Sequence, residues 1–191
     1  MVLMPFINLS NEDKADCLNV ARESIKNGFK TGRALQVVTS DYSAALQQQA
    51  SSFVTLHKFG ELRGCIGALE AYQPLIDDIA DHAYAAAFQD PRFVALKETE
   101  YDDLEIEISV LGPAELMIFK SENELIEQLR PNIDGLILEY DYHRGTFLPS
   151  VWEQLPDKRE FLNHLKVKAG LPMQWWNNDV KISRYETLSF K

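Results

Sequence analysis

The chain has 191 residues, 46% of them hydrophobic and 25% charged, with a formal net charge of −10. That length and balance suit a globular protein of one domain, or of one domain with two lobes, large enough to bury a core without disulfide staples. The acidic charge disfavours general binding to a phosphate backbone, and two cysteines, Cys17 and Cys65, make no disulfide framework. No run approaches the roughly 20 apolar residues of a membrane span. Met1 to Asn11 has neither the basic start nor the apolar run of a signal peptide, so a cytoplasmic protein with free thiols is expected.

Ser10 is a helix cap, with Glu12 and Asp13 in the first turn of a helix that the spacing of Leu18, Ala21 and Ile25 carries to about Asn27. Gly28 and Gly32 end it. Cys17 reads as a small packed residue on that helix. Leu35 to Thr39 is expected as a short strand, and Ser43 to Ala50 as a short helix or loop.

Phe53–Phe59 and Leu62–Leu69 give the clearest hairpin signal, with Gly60-Glu61 suited to a type II′ turn. That turn pairs Lys58 with Arg63, His57 with Gly64 and Leu56 with Cys65. One face then carries Leu56, Lys58, Arg63, Cys65 and Gly67, and the other carries Thr55, His57, Phe59 and Ile66. A one-residue change of loop length would reverse the relation of His57 to Cys65.

Pro74 opens a helix with a stripe of small residues, Ala80, Ala83, Ala86 and Ala87, ended by Asp90-Pro91-Arg92-Phe93. Leu104–Leu111 alternates as a half-buried strand with Glu105 and Glu107 facing outward. Ser121 with Glu124 starts a helix ending near Pro131. Gly135–Tyr140 and Thr146–Leu148 form a second hairpin turning through residues 142–145. Pro149–Leu155 is a further helical stretch, Asp157 caps a helix that stops at Gly170, and Val180–Phe190 is a last strand. Interspersed helices and hairpin strands argue for an α+β fold with a mainly antiparallel or mixed sheet and flanking helices.

The chemistry concentrates at Leu62-Arg63-Gly64-Cys65-Ile66-Gly67. Glycine inside a strand marks a bulge or a close approach of ligand or backbone. Cys65 is a candidate nucleophile or redox thiol, with Arg63 and Lys58 as the cations that would lower its pKa. The alternative is a cysteine packed as a small hydrophobe. A cysteine nucleophile also needs a base, and none of His57, His82, His143 and His164 stands out. Glu105 or Glu107 would serve as acid–base groups or as the partner of Arg63. Asp77, Asp78, Asp81 and His82 have a spacing that could ligate a metal, but a solvated helix face accounts for them, and no metal or cofactor is expected. Lys158, Arg159, Lys166 and Lys168 form a basic group that reads as a solvated helix face or as a functional patch. Trp175-Trp176 reads as a core closure.

The segment from Phe53 to Lys58 followed by Gly60 to Gly67 closely resembles the signature of the AMMECR domain family. So do Ala85–Phe88, Asp90–Phe93, Asp103–Leu111, Asp134–Leu138, Leu148-Pro149 and Phe161 through Pro172. The order and spacing hold from the first helix to Phe190. The resemblance implies an α+β fold with a larger and a smaller lobe around a cleft lined by Arg63–Gly67. There Arg63, Gly64, Gly67, Lys58 and Arg92 would bind substrate or ligand. It also implies company: relatives are often encoded beside, or fused to, a Memo-like protein and a radical-SAM enzyme, the AmmeMemoRadiSam system. The family has no assigned reaction, and modification of a nucleobase or other aromatic substrate is suggested by that company alone. Two functional expectations follow. One is a binding or accessory module that presents a groove to those protein partners or to their small-molecule substrate, with no direct contact to nucleic acid or membrane. The other is a thiol-dependent enzyme using Cys65. Ser150 stands where the family pattern leads one to expect Gln after Leu148-Pro149, and Cys17 matches nothing in the family pattern.

Overall fold

The structure, a computed structural model, describes residues 7–191. The α+β chain divides into two compact units, residues 7–111 with 188–191 and residues 112–187.

In the first unit, helix α1 (Asn11–Thr31) begins with a reciprocal cap: Ser10 Oγ accepts from Asp13 N and the Asp13 carboxylate accepts from Ser10 N. The helix runs through Gly28, where the Phe88 and Tyr84 rings occupy the space a side chain would need. It stops at Gly32, whose φ of +67° only glycine adopts cheaply. The strand expected at Leu35–Thr39 is absent. Leu35 N donates to Ser24 Oγ of α1, so its backbone bonds to a helix side chain instead of to a sheet.

Strands β1 (Ser52–Lys58), β2 (Glu61–Gly67), β3 (Leu104–Leu111) and β8 (Thr187–Phe190) form one sheet, ordered β2-β1-β3-β8. Helix α2 (Leu75–Phe88) packs against β1, β2 and α1. Val54, Leu56, Ile106, Ile108 and Val110 are buried in a core shared with Ile25 of α1 and Ile76, Ile79 and Ala83 of α2. Burying each large aliphatic side chain contributes about 1.5–3 kcal/mol. The small side chains of α2 let its backbone come close to β2. A Cβ on Gly64 would stand 2.2 Å from the Ala86 carbonyl oxygen.

The second unit holds β4 (Glu115–Leu116), β5 (Gly135–Tyr140), β6 (His143–Phe147) and β7 (Lys181–Tyr185) in the order β4-β7-β5-β6, with helices α3 (Glu122–Gln128) and α4 (Lys158–Lys168). The hairpin of β5 and β6 turns through Asp141-Tyr142, two residues earlier than the spacing suggests, with Tyr140 opposite His143. Trp152 stacks on Phe161 at 3.7 Å between ring centres and donates its Nε1 proton to the Asp134 carbonyl at 2.7 Å. Trp175 and Trp176 pack against this core. Lys166, expected in a basic face, is instead buried and paired with the half-buried Glu122. The run Val180–Phe190 is two strands rather than one: β7 belongs to this sheet and β8 to the other, with Glu186 between them.

Candidate functional site

The β1–β2 hairpin decides what Cys65 faces. Lys58 pairs with Glu61, so the turn is Phe59-Gly60 and not Gly60-Glu61. Both turn residues have positive φ, 53° and 81°, as a type I′ turn requires. The register then shifts between Leu56 and His57: His57 lies opposite Leu62, Leu56 opposite Gly64, and Arg63 is the extra residue of a bulge. The expected pairing of Leu56 with Cys65 is thereby corrected. Cys65 pairs with Thr55, whose hydroxyl lies 3.2 Å from Sγ and donates to it.

A slip of one residue changes the face. Cys65, Thr55 and Glu107 form one row across β2, β1 and β3, and His57 and Glu105 lie opposite one another in the next row. This is the face turned away from the helices. His57 therefore shares a face with Cys65, contrary to expectation, and its Nδ1 is buried with no hydrogen-bond partner among the described residues. Glu107 pairs with Lys191 at 3.2 Å, and Glu105 is exposed. Lys58 alternates onto the opposite face, so the expected cluster of Lys58 and Arg63 around the thiol is not formed.

Those two cations converge on a residue that the sequence reading missed, Glu100, in the 3-10 helix Glu98–Asp103. Arg63 Nε and Nη2 donate to its two carboxylate oxygens at 3.1 Å each, a bidentate fork. Lys58 Nζ donates to Oε1 at 3.1 Å, and Lys97 N donates to Oε2 at 3.0 Å. The Arg63 hydrogen bonds, then the Lys97 amide, with help from Lys58, pull the Glu100 carboxyl down to about 2. A groove of about 450 Å³ opens beside this cluster, lined by Lys58, Arg63, Phe93, Lys97, Thr99 and Glu100 among others. A glutamate within reach of two cationic strand residues has no signal in the sequence, because 42 and 37 residues separate it from them.

The Asp90-Pro91-Arg92-Phe93 segment closes the outer edge of β2. Asp90 Oδ2 accepts from Cys65 N at 2.9 Å, and Arg92 Nη2 donates to Cys65 O at 3.2 Å and to Asp90 Oδ2 at 2.7 Å. The Arg92 hydrogen bond dominates in lowering the Asp90 carboxyl to about 2. Arg92 thus holds an edge strand that would otherwise present unpaired backbone groups. The close approach that Gly64 permits is of backbone, that of α2. At Gly67 it is of the Phe53 ring and the Ser52 carbonyl, each 2.4 Å from where a Cβ would stand.

The acidic residues of α2 are committed to protein partners. Asp78 accepts from Ser52 N and Oγ, Asp77 from Thr39 and Asp81 from Gln73. His82 Nδ1 is 3.0 Å from Asp78 Oδ2 without hydrogen-bond geometry. Among the described residues, no group of three His, Cys, Asp or Glu side chains is placed to hold a metal ion. Cys17 is fully buried, and burial pushes its thiol up to about 12. Ser150 is exposed on the 3-10 helix Pro149–Glu153. Among the described residues no helix is long and apolar enough to cross a membrane.

This arrangement has relatives. The chain is 37% identical over 187 residues to a protein of Methanocaldococcus jannaschii, covering 96% of this chain and 92% of that one. It is 35% identical over 189 residues to a protein of Methanothermobacter thermautotrophicus, covering 98% of each. The crystal structure of an uncharacterised protein from Pyrococcus horikoshii superposes with a TM-score of 0.84 at 33% identity, covering 91% of this chain and 88% of that one. The family model described as AMMECR1 matches residues 18–190, across both units, and the chain belongs to the AMMECR1 family.

Proposed function

We propose that this protein is a binding and accessory module that recognises its target at the groove beside Arg63 and works with a Memo-like protein and a radical-SAM enzyme. The observation that carries the reading is the Lys58–Arg63–Glu100 cluster. A cysteine nucleophile needs positive charge or a base at the sulfur. Here Arg63 and Lys58 turn to Glu100, and Arg92, which also faces the Cys65 side chain, is held chiefly by Asp90. What the motif builds is a charged groove beside the sheet, in which Lys58, Arg63 and Glu100 hold one another in place, and preorganisation of that kind serves recognition. The choice of partners rests on the genomic company of the family. The test is co-purification of the tagged protein with the Memo-like and radical-SAM proteins of its own genome. Retention of at least one, reduced by Lys97→Glu at the groove rim, is expected. Retention of neither at any salt concentration overturns the reading.

A second reading, a thiol-dependent enzyme acting on a nucleobase or other small aromatic substrate, draws support from two observations. Arg92 interacts with the Cys65 side chain as well as with Asp90, and His57 lies on the Cys65 face with a buried Nδ1 that has no hydrogen-bond partner among the described residues. Alkylation of Cys65 by iodoacetamide separates the two readings. A fast rate persisting to pH about 6 and abolished by His57→Gln favours the enzyme. A thiol inert until the protein unfolds removes it.

A further inference from the structure

The groove beside Glu100 has a charge that its own residues do not balance. It is lined by three cationic side chains, Lys58, Arg63 and Lys97, and one carboxylate, Glu100. Glu100 stays ionised far below neutral pH, so the local sum is three positive charges against one negative. That excess of two sits on a chain whose net charge is −10. Glu61 and Glu98 lie nearby in sequence but do not line the groove.

Glu100 is also used up as an acceptor. A carboxylate offers about four lone-pair sites. Oε1 receives Lys58 Nζ and Arg63 Nε, and Oε2 receives Arg63 Nη2 and Lys97 N. The donors are not used up. Arg63 has five N–H groups and gives two to Glu100, and Lys58 has three and gives one. The Lys97 ammonium makes no ion pair among the described residues, and the exposed Thr99 hydroxyl donates to none of them. The groove therefore presents spare donors and positive charge around a saturated acceptor. One wall is the Phe93 ring, with the Arg63 guanidinium 6.0 Å from its centre. Val94, 77% exposed, also lines the groove.

We infer that this groove binds a small phosphomonoester, with the phosphate among Lys58, Arg63, Lys97 and Thr99 and the apolar or planar body of the ligand against Phe93. The inference rests on the binding-module reading and names its ligand class. A phosphomonoester carries a charge of about −1.5 to −2 at neutral pH and three acceptor oxygens, which matches the excess of two and the spare donors. A single carboxylate supplies half that charge. A volume of about 450 Å³ is within the range of small-ligand sites, roughly 300–1,000 Å³. A polyanion such as RNA would bring the rest of an acidic surface against its own charge.

Titration calorimetry of the full chain with phenyl phosphate, inorganic phosphate and benzoate tests this. Phenyl phosphate is expected to bind at least about tenfold tighter than either of the others, with affinity falling as salt rises. Lys97→Gln and Thr99→Ala alter exposed side chains that make no hydrogen bond or ion pair among the described residues, and each is expected to weaken phenyl phosphate about fivefold or more. Equal binding of phenyl phosphate and benzoate, equal binding of phenyl and inorganic phosphate, or binding indifferent to Lys97→Gln overturns the assignment. So does displacement of phenyl phosphate by transfer RNA at physiological salt. The partner reading fails separately: a protein that binds phenyl phosphate but captures neither partner loses the accessory role only. One that captures a partner but binds no phosphate loses the ligand class only.

Discussion

Replacing Glu100 by Gln removes one charge from the Lys58–Arg63–Glu100 cluster and leaves its shape. The carboxyl is held at about 2 in place of an ordinary 4.5. At 1.36 kcal/mol per pH unit, the difference of 2.5 corresponds to at most about 3 kcal/mol of stability at neutral pH. The Glu100, Arg63 and Lys58 side chains retain 16%, 13% and 25% of their exposure, so solvent screening brings the expectation to about 1–2 kcal/mol. The sign follows from the direction. A carboxyl depressed in the folded state adds stability above its unfolded value, and that stability is lost as pH falls from about 5 through about 2. The amide in Glu100→Gln also turns an N–H₂ group toward the Arg63 fork, which adds to the loss at pH 7. The assay is urea unfolding at a series of pH values from 7 to 2. It is followed by far-ultraviolet circular dichroism, because all three tryptophans, Trp152, Trp175 and Trp176, lie in the other unit. The stability gap between the parent protein and Glu100→Gln should be widest near pH 7 and shrink steadily below pH 5. A gap of constant size across that range refutes the electrostatic account and leaves only a packing change.

Three further outcomes are expected. Gly64→Ala places a methyl 2.2 Å from the Ala86 carbonyl oxygen, so α2 must move, at a cost of about 1–3 kcal/mol. Gly32→Ala meets nothing within 4 Å among the described residues and loses only the roughly 1–2 kcal/mol of a left-handed residue; melting temperatures should rank the two in that order. Asp90→Ala leaves the Cys65 N–H without its acceptor and frees Arg92, which should cost about 2 kcal/mol in chemical denaturation and speed hydrogen exchange at Cys65. Unchanged exchange there would refute the edge-closing role. Native-state alkylation at pH 8 followed by mass spectrometry should modify Cys65 and spare Cys17, which is fully buried with its thiol pushed up to about 12. Modification of Cys17 ahead of Cys65 would contradict the packing of α1.

Much of this protein is written locally. The Ser10 and Asp157 caps, the stop at Gly32, the small stripe of α2 and the alternation of β3 are short-range patterns, and each element forms where its pattern lies. They suffice for the α+β class, and the glycines around Cys65 mark where backbones come close. The AMMECR signature was legible for the same reason, since it is a run of neighbouring residues.

What lay beyond the sequence depends on pairs far apart in the chain. Hairpin register turned on one residue: both Phe59-Gly60 and Gly60-Glu61 make plausible turns, and the bulge at Arg63 cannot be seen without the partner strand. That choice moved Cys65 to the face of His57 and away from Lys58. Val180–Phe190 reads as one β-prone run, but propensity carries no mark of which sheet a residue will join, and Glu186 separates strands of two. Lys166 looks like surface charge in the sequence, but it is buried against Glu122, 44 residues away, which stays half-buried. Arg63 and Lys58 likewise looked like the guardians of a thiol until Glu100 took them. Helical and strand periodicity arise from backbone geometry within a few residues, so the sequence displays them directly. An ion pair is made by the fold, and its charge has no partner until the chain has closed upon itself.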